Sequence, residues 1–83
     1  MTPEEKIAFA ELGKAVIKNA AYQTVMTERK AAVFNAFCST GADQQEEREE
    51  CWRTMRNLLA LEKSFERILT TGKMADEALK AKS

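Results

Sequence analysis

The stretch DQQEEREECWRTMRNLLALEKSFERIL, residues 43–69, decides the fold. Apolar side chains recur along it at Cys51, Met55, Leu58, Phe65 and Leu69, with Trp52, Leu59, Leu61 and Ile68 beside them. That spacing follows the 3.6-residue period of an amphipathic helix and not the alternation of a strand. Asp43-Gln44-Gln45-Glu46 has the form of a capping box, which would place Asp43 at the helix start. Asp43, Glu46, Glu47, Glu49 and Glu50 crowd the first two turns and Arg67 stands in the last, the charge order a helix dipole favours. Glu49 and Arg53 are expected to form an i,i+4 pair. Thr71-Gly72 should stop this helix, leaving Lys73 to Lys82 as a short closing helix with Met74, Ala75, Ala78 and Leu79 on its apolar face.

Upstream, Ser39-Thr40-Gly41-Ala42-Asp43 is the clearest break, since Gly41 can take positive φ there. Before it, residues 20–38 form a helix with Tyr22, Met26, Val33 and Phe37 spaced along one face, widened by Val25, Phe34 and Ala36. So short a loop forces the helices on either side to lie antiparallel. At the N-terminus, Thr2-Pro3-Glu4-Glu5 opens another helix, with Thr2 as cap, Pro3 at the first position and Glu5 completing a capping box. Its apolar residues are Ile7, Phe9, Ala10, Leu12, Val16 and Ile17. Lys18-Asn19 fits a stop followed by a restart capped by Asn19, and a helix continuous through Asn19 is also compatible. The expected fold is therefore all-α over residues 1–83: an antiparallel helical hairpin with an additional N-terminal helix and a short C-terminal helix.

Composition limits the function. The 83 residues are 45% hydrophobic and 31% charged, with three Gly and one Pro, which suits one helical domain and neither disorder nor many short strands. Thirteen basic residues balance thirteen acidic ones, so no overall field draws the chain to nucleic acid or an anionic membrane. No apolar run approaches the length of a membrane span and no signal-peptide layout is visible, so a cytoplasmic protein is expected. In a hairpin centred near Gly41, Cys51 would face Ala31 and stand several turns from Cys38, so both cysteines read as reduced.

Histidine is absent, which removes the commonest general base and zinc ligand. Cys51 follows two glutamates that disfavour a thiolate. The acids of Gln45 to Glu50 fan around a helix axis instead of converging on a cation. No phosphate loop is present, so Lys73 reads as a surface charge. No catalytic residue, metal site or cofactor is expected, and the protein reads as a non-enzymatic binder. Arg48, Trp52 and Arg56 share one strip, four residues apart, where two guanidinium groups flank an indole. Two accounts fit that strip: contact with a small anionic nucleotide, or Trp52 packed under helix one or across an oligomer seam. Tyr22 has the same two accounts. Because the last helix outreaches the one before it, Leu58, Leu61, Phe65, Ile68 and Leu69 need cover from helix one, the tail or another copy of the chain. A homo-oligomer that also engages a protein partner is the expectation.

At Tyr22, Phe34, Thr40, Asp43, Glu46, Arg48-Glu49, Trp52, Met55, Leu58, Leu61, Phe65, Gly72-Lys73 and Ala75, the sequence resembles small helical proteins of tailed bacteriophages. The likeness spans Asn19 to Leu79. It implies a phage-encoded accessory protein in the host cytoplasm, serving virion assembly or acting against host defence. More distantly the chain resembles the helical-hairpin sponges with which phages sequester cyclic nucleotide signals, oligomers that hold ligand between subunits. Arg48, Trp52 and Arg56 are the candidates for that role by chemistry.

Overall fold

The computed structural model describes residues 1–82 and is all-helical: α1 Pro3–Lys18, α2 Ala20–Cys38 and α3 Gln45–Lys82. At the start of α1 the Thr2 hydroxyl accepts the Glu5 N–H at 3.1 Å, and the Thr2 N–H donates to the Glu5 carboxylate at 3.0 Å. This reciprocal pair satisfies two donors that a helix start otherwise leaves open. Asn19 ends α1 and caps α2: its backbone is extended (φ −68°, ψ 124°), and its side-chain oxygen accepts the Tyr22 N–H at 3.0 Å. Across the break Gln23 donates from its side-chain amide to the Ile17 carbonyl at 3.0 Å.

The break has a physical reason in helical phase. Ala10 is buried in α1 and Met26 in α2, sixteen residues later. At about 100° per residue an unbroken helix would set them about 160° apart, on opposite sides. The extended backbone at Asn19 resets the phase so that both point at α3.

Both shorter helices run antiparallel to α3. Gly13 of α1 lies against Ile68, and Ala10 against Gly72. Farther along, the Tyr22 ring meets Phe65 edge-on at 5.5 Å, and the Lys30 ammonium bonds both Glu62 oxygens at 3.0 and 3.2 Å. Thus α1 and α2 follow one another end to end along α3, whose 38 residues span about 57 Å at 1.5 Å each. The molecule measures 62 × 23 × 16 Å, a slab two helices wide and one deep. Its core is correspondingly thin. Ala10, Gly13, Met26, Val33, Gly72 and Ala75 are buried, but among the described residues no side chain is less than 2% exposed.

Five expectations are corrected. No separate C-terminal helix exists, because α3 continues unbroken through Thr71-Gly72 to Lys82. Gly72 is a notch and not a stop: a Cβ there would run into the Cβ of Ala10 and come within 3.2 Å of the Lys6 carbonyl oxygen. The close approach of α1 that glycine permits offsets its weak helix propensity. At the loop, Gly41 does not take positive φ. Nor does Asp43 cap α3, which opens two residues later; the Gly41 N–H donates to the Gln44 side-chain oxygen at 2.7 Å, and the Gln44 N–H donates to the Gly41 carbonyl at 3.1 Å. The register moves with the loop, so Cys51 faces Val33, Ala36 and Phe37 and not Ala31, while both cysteines remain free thiols. Lastly, Arg53 pairs with Glu50 at 2.9 Å in place of Glu49.

Candidate functional site

Near the loop end of the slab, α2 supplies Val33, Phe34 and Phe37 and α3 supplies Cys51, Trp52 and Met55 to a shallow apolar groove of 170 Å³. The side chains reach it because the hairpin sets the last turns of α2 against the first turns of α3. Phe34 and Trp52 are 61% and 59% exposed, an unusual position for two large aromatic rings in so small a chain. Arg56, one turn after Trp52, stands over the indole with its guanidinium carbon 5.3 Å from the ring centre. That is cation–π distance, and it covers one face of the ring. Arg48 is half-buried one turn before it.

The residues proposed from sequence thus divide. Arg48, Trp52 and Arg56 do share a strip. Tyr22 lies elsewhere, packed on Phe65, thirteen residues from Trp52 and so about 20 Å farther along α3. Leu58, Phe65, Ile68 and Leu69 are half-buried, and Phe65 and Ile68 lie within 4 Å of the space beside Gly13, so the cover they need comes largely from within the chain. Only Leu61 of that set is exposed.

Apolar exposure appears instead where sequence reasoning placed core. Phe9, Leu12 and Val16 of α1 and Val25 of α2 remain open to solvent, Leu12 by 66%. The apolar residues of α1 cover more of the helix circumference than one neighbouring helix can bury, and counting that arc would have shown the surplus. A second groove also went unnoticed. It measures 530 Å³ and runs between α1 and α3, with Lys14, Lys18 and Lys73 interleaved with Glu11 and Asp76. Ala10 and Gly72, packed against each other, form part of its floor, a contact that the glycine-as-stop interpretation concealed. Its mixed charges nearly cancel, which gives no preference for an anion.

The acidic start of α3 is a solvated helix end. Glu50 holds the Arg53 guanidinium protonated through their hydrogen bond and charge attraction, and the Gln45 amide donates to Glu49 at 3.2 Å. Among the described residues no three Cys, Asp or Glu side chains gather as metal ligands would. No described helix is long and apolar enough to cross a membrane. A groove of 170 Å³ is also smaller than the roughly 300–1,000 Å³ of sites that enclose a small ligand. What the loop end offers is a hydrophobic contact surface with one arginine at its rim. No protein-family model, curated protein or solved structure matches this chain.

Proposed function

We propose that the protein is a non-enzymatic, homo-oligomeric helical binding protein, an accessory protein of phage type that engages a protein partner through exposed apolar side chains. One observation carries this. The chain exposes 6437 Å², whereas a compact monomer of its 9.3 kDa exposes about 5,000 Å². Among the described residues eleven large apolar side chains are exposed, Trp52 and Phe34 at the loop end among them. Large exposed apolar area on a slab without a deep core is what a subunit or a docking module looks like before assembly. Light scattering at micromolar concentration is the test of self-association: a mass of twice 9.3 kDa or more is expected, and a monodisperse monomer would remove it.

The Trp52–Arg56 contact supports a second reading, a sponge that sequesters a cyclic nucleotide or related signalling molecule. The small groove cannot enclose such a ligand within one chain, so the ligand would have to sit between copies. Isothermal titration against a panel of cyclic nucleotides separates the two, since the protein-partner role expects no heat from any of them. Service in virion assembly is a third role compatible with the same surfaces.

A further inference from the structure

Helical phase sorts the side chains onto the two broad faces of the slab. With Ala10 turned to α3, Phe9 and Val16 fall about 100–120° to one side, while Glu11 and Lys14 fall to the other. On α3, with Phe65 and Leu69 inward, Leu61 and Ile68 lie on one flank and Lys63, Glu66 and Lys73 on the other. In an antiparallel pair, flanks of the same sense share a face. The contacts agree: Gly13 meets Ile68 on one face, and Lys14 lines a groove with Lys73 on the other.

The first face is distinctive. It presents Phe9, Leu12, Val16, Val25 and Leu61, with Arg29 of α2 beside Thr54, and from Thr54 to Ala78 its α3 flank bears no charge, only apolar or small polar residues such as Ser64 and Thr71. The charged residues of α3 in that interval fall on the opposite flank and the outer edge. In a chain that is 31% charged, a helix flank free of charge over that length is suited to contact with another helix and not with water.

We infer that this face, uncharged along α3, is where a second copy docks, two slabs closing about a two-fold axis into a four-helix bundle. The inference rests on the self-association proposed above and names its surface. The occupant follows from area and symmetry. The whole chain's surface exceeds that of a compact monomer by about 1,400 Å², so burying the roughly 800 Å² per partner of a standard interface would remove about half of the excess. A face whose α3 flank is free of charge over its middle, with Arg29 as the cation abreast of that stretch on α2, meets its own copy without stacking like charges along its length, as an isologous dimer requires. The arrangement leaves the Trp52 groove on the outside of the dimer, one per copy, free for a different partner.

Sedimentation velocity over a concentration series, paired with far-ultraviolet circular dichroism, tests this on the full chain. The wild type is expected to be a dimer. Leu12→Glu and Ser64→Arg are expected to weaken association at least tenfold, and Phe34→Glu and Trp52→Glu to leave it unchanged. Ser64 is exposed, so its replacement leaves packing within the chain intact. A dimer that dissociates with the Phe34 and Trp52 variants but tolerates the other two overturns the face while sparing self-association; a monomeric wild type overturns both. A second readout does not depend on the charged variants folding. In a Cys38→Ser, Cys51→Ser background, a nitroxide at Ser64→Cys should lose mobility as the protein is concentrated, while one at Lys63→Cys should not. Equal responses at the two positions also overturn the face.

Discussion

Gly72 is the residue on which the α1–α3 contact turns. Replacing it by alanine adds helix propensity of about 1 kcal/mol. Against that, the new methyl group meets the Ala10 Cβ and a backbone carbonyl, neither of which can swing aside. Overpacking of this kind costs about 1–3 kcal/mol, so Gly72→Ala should show a net loss of about 1 kcal/mol in urea denaturation, with much of it recovered by adding Ala10→Gly. A gain in stability from the single substitution would mean that α1 does not sit in the notch. The Glu5 carboxylate is held below its ordinary range, first by the Thr2 backbone N–H and then by the Thr2 hydroxyl. A lowered folded value means that the stabilisation is complete above the usual glutamate pKa of about 4.3 and is lost as pH falls through the lower folded value. The stability difference between wild type and Glu5→Gln should therefore be constant near neutrality and shrink below about pH 4. A difference that does not vary with pH would leave the capping box without a role.

Among the elements, the break at Asn19 matters most, because it is what turns two apolar stripes of opposite phase toward one partner. Asn19→Ala removes the side-chain acceptor of the Tyr22 N–H and favours a continuous helix. Loss of such a cap costs about 1 kcal/mol, and a fused α1–α2 helix could keep only one stripe on α3. A fall in the urea midpoint of corresponding size, accompanied by faster hydrogen exchange in α1 or α2, is the expected result. An unchanged midpoint would show that the cap is dispensable. Residues 20–38 and the amphipathic run after Asp43 could be read from period alone, as could the Thr2-Pro3-Glu4-Glu5 opening, because caps and periodicity are local chemistry. Gly41 and Gly72 were misread for one reason. A glycine looks the same in sequence whether it ends a helix, bends a loop or admits a neighbouring backbone, and only the neighbour distinguishes these uses.

For the whole molecule, the slab geometry ties stability to association. A chain with no fully buried side chain among its described residues draws much of its burial from a second copy if the face bearing Leu12 and Ser64 closes on itself. Thermal unfolding should then shift upward with protein concentration, by about 2–4 °C per tenfold for a dimer of this size. A transition that does not move between micromolar and near-millimolar protein would show that each chain stands alone. The candidate sites follow the same division. The strip of Arg48, Trp52 and Arg56 was visible in sequence because it lies within one helix at fixed spacing. Phe34 and Phe37, which complete the groove, were not, since the register between α2 and α3 depends on how six loop residues fold.

By itself the sequence determined that this chain is helical, where its first helix begins and which stripe of each helix is apolar, because hydrogen bonds and side-chain period within a few residues settle those matters. Only the tertiary structure decided that α1 and α2 share one partner, that Gly72 is a point of contact, and which apolar residues were left outside. Those outcomes depend on burial, and burial is a property of what packs against a residue from distant parts of the chain.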